Sequence, residues 1–224
     1  MDTIAARHRV TVVDHPLAAD LLGRLRDRHT SAPAFRTACR QLARLLVLEA
    51  TRGLVTAPDQ VATLLGHAPV ERIAQPVAAV PVLRAGLGLL GAVESLYPHA
   101  AVGFLGVERQ PGTLEPLSYY RKLPPLAGAL TLVLEPMLAT GGSASVAIAA
   151  VREAGAEDVV VVTVVAATVG IERLHADQPT IRIVTAGVDD RLDERGYIVP
   201  GLGDFGDRLF ATGHGSGLTP PAGS

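Results

Sequence analysis

An acid followed by a turn rich in hydroxyls and glycines, Glu135-Pro136-Met137-Leu138-Ala139-Thr140-Gly141-Gly142-Ser143, holds the residue types best suited to chemistry in this chain. Adjacent glycines let a backbone approach a ligand closely, because no Cβ intervenes. Where such a turn opens a helix, the unpaired amides of the first turn point at whatever sits there and favour an anion. Thr140 and Ser143 add hydroxyl donors, and a carboxylate just upstream can accept hydrogen bonds from ribose hydroxyls. Together these types describe a grip on a phosphorylated ribose. Taken alone, the stretch is equally a strand-to-helix connection capped by Ser143, with glycines that serve geometry only. It matches neither the Gly-Lys-Ser/Thr phosphate loop nor GxGxxG.

Three other stretches carry usable groups. Arg84-Ala85-Gly86-Leu87-Gly88 places a guanidinium at a strand end before a glycine-rich helix start, where it can meet a phosphate; an arginine near a helix cap serves as well. Residues 108–125, ERQPGTLEPLSYYRKLPP, form a long polar connection that includes Arg109. Connections of more than about 12 residues are uncommon unless they are functional or disordered, so this one reads as a lid or as an insertion. Residues 196–212, GYIVPGLGDFGDRLFAT, are too glycine-rich for a helix and too hydrophobic for a linker. Gly201, Gly203 and Gly206 would bend the backbone and present N–H and C=O groups to a small planar ligand, with Asp204 and Asp207 supplying carboxylates. The alternative is an array of structural turns.

Several elements must hold these groups in place. The apolar run 130–134 reads as a buried parallel strand leading into Glu135, and 144–154 as the helix after the turn. A second buried strand, 76–83, ends at Arg84 despite Pro81, and a helix follows to about residue 96. Further strands are expected at 10–14, 101–107, 158–167 and 180–186, with helices at 17–28, 34–51 and 171–177. Residues 53–76 read as short strands or an arm. Repeated strand–helix alternation implies a parallel α/β sheet with right-handed crossovers. Such sheets bind ligands at the carboxyl ends of their strands, where Arg84, Arg109 and Glu135 fall.

Composition narrows the function classes. A chain of 224 residues with 48% hydrophobic content suits one domain with a large core. A net charge of -2 offers nothing to a nucleic acid. Cys39 is the one cysteine, which excludes an internal disulfide, and it reads as a small helix residue rather than a nucleophile. The seven histidines are scattered without HExxH or a Cys/His cluster, so a protein-built zinc site is not expected. The N-terminus carries charges where a signal peptide needs an apolar core. The longest nearly uncharged apolar run, 159–171, falls short of the roughly 20 residues that span a bilayer. The expectation is a cytoplasmic protein with no membrane or nucleic-acid partner.

Four blocks, in order, resemble the uracil branch of the type I phosphoribosyltransferase family: PVLRAGLG (81–88), TLEP with SYYRKLP (113–124), EPMLATGGS (135–143) and GYIVPGLGDFGDR (196–208). The resemblance spans about residues 10–212. It implies an α/β, parallel-sheet phosphoribosyltransferase-type fold with a flexible arm and a hood from the N- and C-terminal segments. A single domain over 1–212 would have its core at 76–187 and its hood at 10–52 and 188–212, with 213–224 a disordered tail. The implied reaction joins uracil to 5-phosphoribosyl 1-diphosphate, giving UMP and diphosphate, with Mg²⁺ held mainly by the substrate. Arg84 and Arg109 would contact the diphosphate. The stretch from Glu135 to Ser143, namely Glu135, Pro136, Met137, Leu138, Ala139, Thr140, Gly141, Gly142 and Ser143, would hold the ribose and 5-phosphate. Asp204 would reach the donor or its magnesium, and Ile198, Gly203, Asp204 and Phe205 would read the base. The family suggests a homodimer or larger assembly and admits GTP as an effector.

Several positions depart from the family pattern. Glu135 stands where Asp is usual, Pro111 and Gly112 where two acids are usual, and Phe205 where Ala is usual. Ala167-Thr168-Val169-Gly170 replaces the usual APEG. Phe205 bears on specificity, since a large side chain beside the base would reshape its site. Two alternatives therefore stand beside uracil transfer: the same chemistry on another heterocycle, and a donor-binding regulatory homologue without catalysis.

Overall fold

The computed structural model describes residues 9–109 and 116–212, without the side chains of Arg109 and Pro116. Pro111, Gly112 and the tail 213–224 lie outside the described residues. The chain enters through β1 (Val10–Val12), then α1 (Pro16–Arg26) and α2 (Ala32–Ala50). Both helices carry proline in the first turn, where its missing N–H leaves no intrahelical bond unmade. Residues 53–76, expected as short strands or an arm, hold the antiparallel pair β2 (Thr56–Thr63) and β3 (Gly66–Ile73), a two-stranded sheet of their own. Then come β4 (Val77–Leu83), α3 (Leu87–Leu96), β5 (Ala101–Val102), β6 (Phe104–Arg109), β7 (Pro116–Lys122) and β8 (Leu130–Leu134). After β8 follow β9 (Met137–Leu138), α4 (Gly142–Glu153), β10 (Asp158–Val162), β11 (Val165–Ala167) and α5 (Thr168–Asp177). The chain finishes with β12 (Arg182–Thr185), β13 (Gly187–Asp189), β14 (Arg191–Leu192), β15 (Ile198–Val199) and α6 (Phe205–Phe210).

The main sheet runs β1-β12-β10-β8-β4-β6-β7, with β5 also beside β4. Its pairings are parallel up to β6, and β7 closes the edge antiparallel to β6. Register aligns Val133 of β8 with Val161 on one side and Val80 on the other. Alternate residues of β8 point to opposite faces. Leu130, Leu132 and Leu134 pack with α1, α2, α3 and α6. Val133 packs on the other face with Ala147 and Ile148 of α4 and Leu174 of α5. Both faces of β8 are buried, which is why its sequence is continuously apolar.

This topology fixes where a ligand can enter. From β4 the chain crosses by α3 to β5 and β6 on one side; from neighbouring β8 it crosses by α4 to β10 on the other. The two crossovers diverge on opposite faces, so a crevice opens between the carboxyl ends of β4 and β8.

Three expectations need correcting. The strand expected over 158–167 is two strands in different sheets. Buried Thr163 turns the chain between them: its Oγ1 accepts from the Leu138 amide at 3.3 Å and donates to the Val165 carbonyl at 3.1 Å. The polar connection 108–125 is not loop throughout, because β6 extends to Arg109 and β7 occupies Pro116–Lys122. Residues 196–212, expected to be non-helical, end in α6, capped by Asp204.

Candidate active site

A cleft of about 400 Å³ opens at the crevice between β4 and β8. Ala85 borders it on the β4 side, and Glu135, Met137, Ala139 and Ser143 on the β8 side. The tail segment closes it with Ile198, Gly203, Asp204 and Phe205. The turn after β8 and the glycine-rich tail, more than 50 residues apart in sequence, therefore face the same space. A narrow recess adjoins the cleft, lined by Glu135 and residues 137–144. Thr140, Gly141 and Gly142 border this recess rather than the large cleft. Pro136 borders neither; its carbonyl accepts from the amides of Val164 and Val165.

The turn is built by its glycines. Gly141 is the N-cap of α4 and sits at φ +79°, a left-handed conformation that side chains disfavour. Ser143 is therefore not the cap; it lies in the first turn of the helix and borders both cavities. With Gly141 supplying no capping side chain, the first amides of a twelve-residue helix are left for a ligand at the recess. Gly170 of α5 supports the turn from outside. A Cβ there would stand 2.2 Å from the Ala139 carbonyl oxygen and 2.9 Å from that of Leu138. Only glycine at this position lets α5 pack against the turn.

The tail loop is equally constrained. Ile198 is 4% exposed, so its side chain is anchored in the core while it borders the cleft. Asp204 caps α6 by accepting from the Asp207 amide at 2.8 Å through Oδ1. Phe205 lies next to it, but its ring turns inward. It is 2% exposed and meets the ring of Phe35 edge-on.

Arg84 reaches toward the tail helix. Its guanidinium stands 3.7 Å from Asp207 and 5.9 Å from the ring centre of Phe210. It does not border the cleft, although the next residue, Ala85, does. The peptide between Leu83 and Arg84 is cis. Arg109 ends β6, two residues beyond Val107 on the cleft wall. Cys39 is buried, donates to the Gly88 carbonyl at 3.3 Å, and has its thiol pushed up to about 12 by that burial, far from thiolate chemistry at neutral pH. Among the described residues no group of three or more His, Cys, Asp or Glu could hold a metal ion.

Several residues of the site escaped sequence reasoning. Arg195 and Tyr197 border the cleft. Thr163 and Gly170 shape the turn from other elements. Arg26 grips the tail loop from 175 residues away, Asp189 from 12 and Arg208 from six. Local signals among them are the glycine of Ala-Thr-Val-Gly and the tail block 196–208, which contains Tyr197 and Arg208.

Comparison with known proteins bears on this architecture. The chain is 44% identical over 206 residues to a uracil phosphoribosyltransferase of Thermus thermophilus, covering 91% of this chain and 99% of the relative. It is 46% identical over 207 residues to one of Kineococcus radiotolerans, covering 90% and 98%. The solved structure of the AQ2163 protein from Aquifex aeolicus superposes with a TM-score of 0.86 at 37% identity, covering 91% of this chain and 98% of that one. The model of the uracil phosphoribosyltransferase family matches residues 12–212. With a shared cleft between turn and tail, and relatives this similar along nearly their whole length, the chain belongs to the uracil phosphoribosyltransferase family.

Proposed function

We propose that this protein transfers the 5-phosphoribosyl group of 5-phosphoribosyl 1-diphosphate to uracil, giving UMP and diphosphate, in pyrimidine salvage. The observation that carries the reading is one cleft bordered by Glu135 and Ser143 of the turn and by Ile198, Gly203 and Asp204 of the tail. In the reaction the C1–oxygen bond to diphosphate breaks, the C1–N1 bond to uracil forms, and the N1 proton leaves. The amides of 140–143 and the hydroxyls of Thr140 and Ser143 hold the 5-phosphate, and Glu135 accepts from the ribose hydroxyls. Arg84 and Arg109 stabilise the charge that grows on the departing diphosphate, which is where preorganised charge counts most. Backbone groups of Ile198 and Gly203 read the planar ring. Closure of the 108–125 segment over the cleft excludes water, and the segments 10–52 and 188–212 serve as the hood over a 76–187 core.

Magnesium suits this site. A carboxylate bordering the cleft, Asp204, together with the oxygens of a diphosphate, is the hard donor set that this ion takes when substrate supplies most of its ligands. When bound, it would neutralise diphosphate charge, with Asp204 holding it directly or through water. The family resemblance supports a homodimer or larger assembly and a GTP effector, and a salvage reaction of this kind suits a cytoplasmic location.

The test is a base screen with labelled uracil, cytosine, thymine, hypoxanthine and orotate, each with the donor and Mg²⁺. UMP from uracil is the expected product. Turnover of another ring without UMP overturns the base assignment, and donor binding with no diphosphate released from any base overturns catalysis. Asp204→Asn serves as the control, since Asn also caps helices well. It should keep the fold and lower turnover by about a hundredfold, the scale of losing one transition-state contact.

A further inference from the structure

Neither Arg26 nor Arg208 borders the cleft, yet both hold the loop that does. Arg26, the last residue of α1, donates from Nη1 to the Gly201 carbonyl at 2.8 Å. The same guanidinium forks onto Asp189, with Nη1 on Oδ2 at 2.8 Å and Nη2 on Oδ1 at 2.7 Å. Asp189 in turn accepts from the Gly201 amide at 2.9 Å. Both backbone polar groups of Gly201 are therefore taken up by one ion pair, whose side chains are 25% and 6% exposed.

Arg208 completes the arrangement from the other direction. Its Nη1 donates to the Leu202 carbonyl at 2.8 Å and also to the Leu25 carbonyl. Its Nη2 donates to the Asp27 carbonyl at 2.6 Å, and its guanidinium lies over the Phe35 ring at 4.5 Å. The two arginines thus cross. The end of α1 reaches out to residue 201, and α6 reaches back to the end of α1. The carbonyls of Gly201 and Leu202 are both occupied by guanidinium donors. The next residue, Gly203, opens onto the cleft at φ +80°.

We infer that Arg26 and Arg208 are positioning residues that fix the 201–203 backbone so that Gly203 presents its peptide groups to the base. The inference deepens the uracil-transfer reading and rests on it for the identity of the ring. A planar ring recognised by backbone groups needs those groups fixed before it arrives, since a displacement of about 1 Å in a reacting complex can cost a hundredfold in rate. A guanidinium fork fixes direction as well as charge, which an ammonium cannot do. The turn at 135–143 lies outside this clamp, and Asp204 is held separately by its cap on α6, so losing the clamp should weaken the base more than the donor.

The test is Arg26→Lys, with Arg208→Lys as an independent route to the same loop. Each variant is assayed for the KM of uracil and the KM of the donor, with thermal unfolding to establish folding. The expected result is a rise of at least about tenfold in the KM for uracil with the donor KM within about twofold, the loss of one charge-assisted hydrogen bond. Equal losses for both substrates, or no change for uracil in either folded variant, overturn the inference. Hydrogen exchange on the unaltered protein gives a readout that needs neither a folded variant nor a known base. The Gly201 amide should exchange as slowly as those of β8, and exchange at the rate of an open loop overturns the clamp even if UMP is made. If the protein is inactive with uracil but Gly201 is protected, the base assignment fails and the clamp stands.

Discussion

Arg84 and Asp207 stand 3.7 Å apart, so a proposed diphosphate ligand is held by the tail helix. Both side chains are substantially exposed, at 60% and 40%, and exposed pairs contribute about 1 kcal/mol or less. Asp207 therefore competes weakly with the donor for Arg84. Asp207→Asn should lower the donor KM by about two- to fivefold, the equivalent of that pair energy. Asn keeps an acceptor for the Thr212 hydroxyl, which lies 2.7 Å from Asp207 Oδ1. Arg84→Ala should raise the donor KM by about tenfold or more, as expected for a charge-assisted hydrogen bond. A donor KM unmoved in both variants would remove Arg84 from the diphosphate site.

Phe205 opens α6 beside the tail loop, and its ring serves the core. It meets Phe35 edge-on at 5.3 Å and 68°, the arrangement aromatic quadrupoles favour. A Cβ on Gly88 would lie 3.1 Å from its Cε1, so the ring also presses on α3. Phe205→Ala should destabilise the protein by about 3–5 kcal/mol, the range for a truncated buried Phe. Phe205→Leu, which keeps more of the volume, should leave the ranking of bases unchanged. A changed ranking in that variant would mean that the ring does shape the base site.

Gly170 offers a test of the turn that touches no ligand. Alanine there drives a methyl into the Ala139 carbonyl, 2.2 Å away, and the turn must move. Since Ala is intrinsically better than Gly in a helix by about 1 kcal/mol, α5 itself is not weakened by the change. Gly170→Ala should lower kcat/KM for the donor by about a hundredfold through misplacement of the phosphate amides. Donor kinetics like those of the unaltered protein would show that the turn tolerates displacement or does not bind phosphate.

The Arg26–Asp189 pair gives a pH dependence. Burial pushes the Asp189 carboxyl up, but the Arg26 guanidinium and the Gly201 amide outweigh it and hold the group below its usual value. A carboxyl with a depressed pKa stabilises the fold above its unfolded value of about 3.9, and that stability is lost as pH falls through the lower folded value. Asp189→Asn should therefore unfold at a lower temperature than the unaltered protein at pH 7, with the gap narrowing toward pH 3. A gap independent of pH would contradict the assignment.

Much of this was legible in local patterns, and the losses have physical causes. Residues 130–134 and 76–83 read as buried strands because neither face of the sheet meets water along β8 and most of β4. Pro81 is tolerated because it falls between the β5 pairing at Ala78 and Ala79 and the β6 pairing at Val82 and Leu83. The break at Thr163 was invisible because Val159–Val162 and Val164–Val165 are equally apolar, and the turn depends on a hydroxyl meeting Leu138, 25 residues away. β7 escaped because residues 117–121 are exposed and carry no in–out alternation. α6 was missed although Asp204 is a good N-cap residue, because the preceding glycines obscured it. Arg26 meets Asp189 across 163 residues, and nothing short of the fold shows it.

A crystal structure with UMP bound is the decisive measurement. The 5′-phosphate should sit against the amides of residues 140–143 in the recess, the ribose hydroxyls against Glu135, and the uracil edge against the backbone of Ile198 and Gly203 in the adjoining cleft. A nucleotide seated with its phosphate elsewhere, or with its ring turned away from 198–204, would show that the turn and the tail do not work as one site.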